Sequence, residues 1–433
     1  MHIPFPFFRA GRWAVGPVAQ ATAWMLAIHA PVPQAAGAPD RAVAAPTIEI
    51  GSRKQLFVDH KFIESDEGVT LVMNPPVRTG ELLIVPDAPW EKNLELLSYH
   101  SVVKEDDGRI RIWYGVCTSK DRREFLGLAY AESPDGLRFT KPVLNLVEFE
   151  GSRRNNLVLP VDPGVMSIGG GSVFVDANPR ALPAERYKSW VKVYPKKSTG
   201  IGEQHRVFTS PDGVHWKVSE KPVTGLRAAD TQPTWFWDPR VDRYVGYSRE
   251  WVRFSGERRI RMASYNESDD MHAWDSSQVV LAADEADSVA SLRPLVDIPS
   301  MSLDRDTLVG PPMPRQPAAD RGNSALFGPD NVPLPGGPLD IYGPGVFPYL
   351  EADGVYISLM SIFYHWDSDG LSPETSDVRL GVSRDARHFM RPDGRKPFLR
   401  VGPVGAFDSK WLWWMPSPIR MGDELWLYYF GAN

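Results

Sequence analysis

Apolar and polar residues alternate along much of this chain with the period of two that sends successive side chains to opposite faces of a strand. The alternation comes in short runs separated by turn-forming residues. Four runs, "LGLAYAE", "HRVFT", "RIRMASYNE" and "VRLGV", each lead into a heptapeptide of the form Ser-x-Asp-x-x-x-aromatic. These are Ser133–Phe139 (SPDGLRF), Ser210–Trp216 (SPDGVHW), Ser268–Trp274 (SDDMHAW) and Ser383–Phe389 (SRDARHF). Asp-Gly supports a tight turn because Gly accepts positive φ, while Ser and Asp side chains bond nearby backbone N–H groups. The heptapeptide therefore predicts a hairpin connector whose aromatic residue packs back on the sheet.

A second hairpin precedes each heptapeptide. "SYHSVVKEDDGRIRIWYGV" turns at Asp107-Gly108, "TQPTWFWDPRVDRYVGYSRE" at Asp238-Pro239 and "GVFPYLEADGVYISLMSIF" at Asp353-Gly354, and "GGGSVFVDANPRALPAERYKSWVKVYP" supplies the remaining unit. The repeating unit is four strands, with the heptapeptide between the third and fourth. Four-stranded units repeated radially predict an all-β fold, a β-propeller. A fifth unit, "WLWWMPSPIRMGDELWLYYFG", turns at Gly422-Asp423 and has two strands. The fold expected is a five-bladed propeller whose fifth blade is either incomplete, through truncation at Asn433, or completed by N-terminal strands around "KQLFVDHKFIE" and "VTLVMNPPV".

The heptapeptides are spaced by 77, 58 and 115 residues, the long interval coming from a Pro-, Asp- and Gly-rich stretch, Asp287–Gly337. A loop of that length reads as disorder or as a lid. Composition agrees with strands and turns: 36 Gly, 40 Pro, 15 Trp, 14 Tyr and 19 Phe in 433 residues. A net charge of −6 with no basic stripe argues against a nucleic-acid partner. Residues 1–44 read as a secretory signal, with Arg9 and Arg12 before an apolar stretch and a cleavage motif at Ala42-Val43-Ala44, the alternative being Ala36-Gly37-Ala38. A membrane anchor is the competing reading, weakened by Pro17 and Gln20. Residues 45–433 would then form one secreted or periplasmic domain carrying the 287–337 insertion, with no membrane contact once the signal is removed. Cys117 is the single cysteine and reads as a buried thiol in a strand.

Taken together, the Ser-x-Asp-Gly-x-x-Trp turns, the four-stranded units and the leader resemble the five-bladed propeller glycosidases of glycoside hydrolase families 43 and 32. "LFVDHKFIE", "LAYAESPDGLRF", "DTQPTWFWDPRVDRYVGYSRE", "DIYGPGVFPY" and "DELWLYYFG" are more similar still to secreted family-32-like propellers of planctomycete-type bacteria, over about residues 48–433. The resemblance implies a carbohydrate substrate and no organic cofactor. The Trp-Met-Asn-Asp-Pro-Asn-Gly, Arg-Asp-Pro and Glu-Cys motifs of family 32 are absent, so no residue inherits that family's nucleophile.

Glycoside hydrolysis needs two carboxyl groups facing each other across the scissile bond. In a propeller the innermost strands line a tunnel, so carboxylates at their starts converge. Asp230 and Asp340 are the expected catalytic pair, with Asp408 or Glu250 as a third carboxylate, and Asp59 is a further possibility. Arg249, His100 and His365 offer hydrogen bonds to a sugar, and Tyr342, Trp235 and Trp411 offer faces to stack on its ring. Each also has a structural reading: Asp as a turn cap, Trp as blade packing. A carbohydrate-binding propeller without catalysis and a surface interaction module are the alternatives to an enzyme. No spacing of His, Cys or Asp predicts a metal site, and "IGGGS" at Ile168–Ser172 leads into a strand rather than a phosphate-binding helix.

Overall fold

The strand-forming runs pair as their alternation predicts. In this computed structural model the residues described are 47–118, 125–160, 166–195, 204–226, 231–253, 259–283, 339–364, 375–403, 405–409, 411–414 and 417–432. The signal segment, the 287–337 insertion, Asp230 and His365 lie outside them. Blade I is β1 (Leu94–Lys104), β2 (Ile110–Thr118), β3 (Phe125–Ser133) and β4 (Leu157–Leu159), paired in that order. Blade II repeats it with β5 (Met166–Val175), β6 (Tyr187–Pro195), β7 (Gln204–Ser210) and β8 (Lys217–Val218). Blade III has β9 (Thr234–Asp238), β10 (Arg243–Arg253), β11 (Arg259–Ser268) and β12 (Gln278–Leu281).

In blade IV the inner strand is split into β13 (Leu339–Gly343) and β14 (Val346–Pro348), both paired with β15 (Tyr356–Tyr364). The break falls at Pro344, which has no N–H for a ladder, followed by Gly345 at φ +50. Blade IV continues with β16 (Thr375–Ser383), which pairs both β17 (Phe389–Met390) and β18 (Pro397–Leu399).

Blades I–III are thus four-stranded and blade IV has six paired strands, so four blades stand where five were expected, the fifth having been expected either incomplete or completed by N-terminal strands. The fifth element of the ring is a hairpin, with β19 (Trp411–Trp414) paired to β22 (Tyr429–Ala432) and β20 (Ile419–Met421) paired to β21 (Glu424–Trp426). It turns at Gly422, φ +60, where the sequence places the turn. N-terminal residues do not complete it as strands. Among the described residues between Ser52 and Pro86 the ladder contact is a single bridge, Lys54 to Ala352 in blade IV. Leu83 and Ile84 instead pack by their side chains against the cluster holding Ile419, Tyr428 and Trp426. Residues 52–433 make one unit, separate from Met1–Gly51.

The ring closes through contacts between neighbouring blades: β1 touches β5, β5 touches β9, β10 and β11 touch β13, β15 touches β19, and β19 and β22 touch β1. Buried polar groups fix these contacts. Ser101 Oγ accepts the Val173 N–H at 2.9 Å, Ser172 donates to the Pro233 carbonyl at 2.7 Å, and Gln232 Nε2 donates to the His100 carbonyl at 2.9 Å. Ser361 and Ser376 donate to the Leu412 carbonyl at 3.1 and 2.9 Å.

The repeated heptapeptide has one geometry in all four copies. The Asp Oδ1 accepts two N–H groups: Leu137 and Arg138 on Asp135, Val214 and His215 on Asp212, His272 and Ala273 on Asp270, Arg387 and His388 on Asp385, all between 2.8 and 3.0 Å. The fourth residue is left-handed every time: Gly136 φ +79, Gly213 φ +73, Met271 φ +64, Ala386 φ +68. That conformation turns its carbonyl toward the preceding blade. Tyr428 of the fifth hairpin donates to Gly136 O at 3.1 Å, Trp113 of β2 to Gly213 O at 2.7 Å, and Tyr247 of β10 to Ala386 O at 2.7 Å. At the fourth interface Trp190 of β6 packs in one cluster with Met271. The motif is therefore a latch between blades.

A second latch repeats beside it. The tyrosine that opens a blade's second strand donates to a carboxylate at the end of the previous inner strand: Tyr187 to Glu105, Tyr244 to Asp176 and Tyr356 to Asp238. In each pair burial raises the phenol's affinity for its proton, pushing Tyr187 and Tyr356 each up to about 12.

Two outcomes follow from these turns. A Cβ on Gly213 would stand 2.6 Å from the Trp113 ring in a left-handed backbone. Gly213→Ala should cost about 2–4 kcal/mol and lower the thermal midpoint by several degrees, read by calorimetry. The turn carboxylates also set acid stability. Burial raises the Asp212 carboxyl, but the N–H groups of His215 and Val214 and the His215 ring outweigh it and hold it near about 2; Asp135, Asp270 and Asp385 are lowered in the same sense. A carboxylate depressed in the fold stabilises it above its ordinary value of 3.8 and loses that contribution as pH falls toward the folded value. Urea midpoints should be flat from pH 6 to about 4 and drop steeply between about 4 and 2.

Candidate functional site

The inner strands bring side chains from non-adjacent blades together at the axis. Tyr99 of blade I and Tyr342 of blade IV meet hydroxyl to hydroxyl at 3.3 Å. The fifth hairpin lies between those blades in the ring, so the pair links them past it. Burial drives the Tyr99 phenol well above its usual range, the neighbouring Tyr342 adding to the shift and a hydrogen bond with Thr231 opposing it. Tyr342 stacks on Phe363 at 5.5 Å and meets Trp413 edge-on at 5.4 Å, and Trp411 lies against Phe363 and Trp413 at 5.0 and 5.1 Å.

Asp340 stands next to this aromatic wall. It is buried, and its Oδ2 accepts Arg261 Nη1 at 2.5 Å. Arg261 is held in turn by rings, with its guanidinium carbon 4.6 Å from the Trp251 centroid, 5.4 Å from Tyr342 and 5.3 Å from Phe363. Arg249 lies over the same Trp251 and Tyr342 rings at 5.2 and 5.5 Å. Burial pushes the Arg249 guanidinium below its usual value, Tyr342 resisting and Arg261 contributing. The result is a carboxylate, two guanidinium groups, two facing phenols and four further aromatic side chains, Trp251, Phe363, Trp411 and Trp413, brought together from blades I, III and IV and the fifth hairpin. Such a set can hold a polyhydroxylated ring, with stacking for its C–H face and charged hydrogen bonds for its hydroxyls.

The sequence candidates divide. Asp340, Arg249, Tyr342 and Trp411 come together here. Glu250 sits between Arg249 and Trp251 on β10 and therefore points to the other sheet face, its Oε1 accepting the Trp251 N–H at 3.3 Å. Asp408 is buried away from the cluster, accepting Tyr429 OH at 2.9 Å with Arg78 Nη1 at 3.6 Å. His100 faces the fifth hairpin, where its Nε2 donates to the Tyr428 carbonyl at 3.2 Å.

Trp235 is blade packing, 3% exposed, between Trp190 at 4.9 Å and Trp274 at 4.5 Å. Its ring covers Gly246, where a Cβ would come within 1.7 Å. Asp59 is a surface clasp, accepting Arg384 Nε and Nη2 at 2.9 Å each.

Sequence reasoning missed Trp251, Arg261 and Phe363, and passed over Tyr99 and Trp413 in favour of their neighbours. A signal was available for two of them. Trp251 and Arg261 are cross-strand partners in the β10–β11 register, so once Arg249 is placed inward, the i+2 residue and its partner share that face. Phe363 pairs with Asp340 across β15 and β13, which only the register reveals. Among the described residues no group of three or more His, Cys, Asp or Glu side chains is arranged to hold a metal ion.

These observations define a propeller with a polar, aromatic-walled mouth. No family model matches the sequence, and no curated protein matches it. Its likeness is to solved structures. A glycoside hydrolase superposes with a TM-score of 0.50 at 12% identity, covering 83% of this chain and 89% of that one. An N-acetylgalactosamine deacetylase from F. plautii in complex with blood group B trisaccharide gives 0.45 at 14% identity, covering 77% and 80%. The GH43_1 enzyme from Xanthomonas citri complexed with xylotriose gives 0.44 at 11%, covering 79% and 83%. At these identities the shared property is the fold: the chain has the propeller architecture of that glycoside hydrolase.

Separating wall from packing is testable by stability. Trp235→Ala should cost about 3–5 kcal/mol, as a buried Trp lost from between two others. Trp411→Ala, at a partly exposed ring, should cost clearly less in the same urea titration.

Proposed function

We propose that this protein is a glycosidase of the propeller type, secreted or periplasmic, that cleaves a poly- or oligosaccharide at the mouth of the ring. The reading rests on one observation above the others: Asp340 is a buried carboxylate paired to Arg261 beside the Tyr342, Phe363 and Trp411 rings. The likeness in fold to a glycoside hydrolase supports it. In this proposal Arg261 orients Asp340 through the bond to its Oδ2, which suits a positioned base or nucleophile. Asp230, the residue before Thr231, whose side chain bonds Tyr99, is the proposed second carboxyl group. The five-bladed, family-43/32-like affiliation and the planctomycete-type origin belong to the same proposal.

A second reading, a carbohydrate-binding propeller without catalysis, is favoured by the engagement of Asp340 with Arg261. The two are separated by assaying the chain against aryl glycosides and oligosaccharides for reducing-sugar release. On the enzyme reading Asp340→Asn and Asp230→Asn each lower kcat by roughly 100-fold or more with the thermal midpoint held. Saccharide binding without release by the unaltered protein rejects the enzyme reading in favour of the second.

A further inference from the structure

A cleft of about 520 Å³ opens on the outer side of the ring, between residues 73–78 and the blade IV segment 393–400. It shares no residue with the aromatic mouth. Its walls include Pro76, Pro397 and Phe398, flat apolar surfaces, and its charged groups are Arg78, Lys396 and Arg400 against one carboxylate, Asp393. Asp393 is already engaged, accepting Lys396 Nζ at 2.9 Å.

Arg78 makes no hydrogen bond to protein among the described residues. Its nearest carboxylate oxygen, on buried Asp408, is 3.6 Å away and is the one bonded by Tyr429 at 2.9 Å. The Tyr429 ring, 5.9 Å from its guanidinium carbon, holds Arg78 in place without using its N–H groups. Arg400 pairs with no carboxylate among the described residues. Arg78 Nε and Nη2 are enclosed by protein, so that guanidinium reaches the cleft through Nη1, and Arg400 adds a second guanidinium whose fork geometry suits anions. It has the size range of small-molecule sites, roughly 300–1,000 Å³.

We propose that this cleft is a second binding site, for an acidic saccharide: the anionic groups engage Arg78 and Arg400, and the proline and phenylalanine walls take the C–H faces of the rings. The saccharide half of the assignment rests on the function proposed above, while the anionic half rests on the cleft alone. A carboxylate on a uronic acid and a sulfate ester share this chemistry.

The test is calorimetric titration of the full chain carrying Asp340→Asn, so that turnover does not interfere, with trigalacturonate, xylotriose and sodium sulfate. The expected result is binding of trigalacturonate that weakens about tenfold in Arg78→Gln and in Arg400→Gln, weakens with added salt, and is unchanged in Trp411→Ala at the mouth. Should Arg78→Gln fail to fold, Arg400→Gln combined with Lys396→Gln carries the comparison.

Trigalacturonate affinity indifferent to these substitutions, or equal to that of xylotriose, overturns the proposal. Sodium sulfate binding as tightly as trigalacturonate overturns its saccharide half. The same titrations in a protein without glycosidase activity separate failure of this site from failure of the mouth.

Discussion

The carbonyl group of one left-handed residue per turn is the constraint on which this molecule depends. A buried backbone oxygen must find a donor, or the fold carries an unmet polar group at a cost of about 1–3 kcal/mol; for Met271 the Trp274 indole of the same turn supplies it. Trp113, Tyr247 and Tyr428 supply that donor from the preceding blade. Trp113 and Tyr247 sit on second strands and Tyr428 just before the last strand of the fifth hairpin, so the latch ties each turn to the body of the preceding element. Met271 and Ala386 hold the same backbone shape without glycine, so the surrounding contacts, and not local freedom, dictate it.

With blades indexed in this way, the inner strands can be short and irregular without losing their places. Blade IV is broken at Pro344 and its register slips by one residue between Ile341 and Gly343, yet Ser358 donates to the Pro344 carbonyl at 2.5 Å and both halves stay paired to β15. That irregularity falls within the stretch that delivers Asp340 and Tyr342 to the mouth. Outer strands define the frame, and inner strands are thereby left available for polar and aromatic residues that a regular sheet would not choose.

Much of the frame was legible in the sequence because it is local. Ser133, Asp135 and Gly136 advertise a turn through bonds made within six residues, and the strands on either side alternate plainly. The mouth was legible only in part. Asp340 and Tyr342 stand at the start of a strand that the repeat locates, but Arg261 reaches them from a third strand of another blade. Its assignment depends on pairing register, which is not written in any one segment. Trp235 and His100 misled for the same reason: a strand's two faces look alike until its neighbours are known, and theirs face other blades.

The meeting of Tyr99 and Tyr342 joins blades I and IV directly, past the hairpin that lies between them in the ring. The two full blades on either side of the smallest element are tied to each other as well as to it, so the seam where the ring is thinnest carries a second fastening.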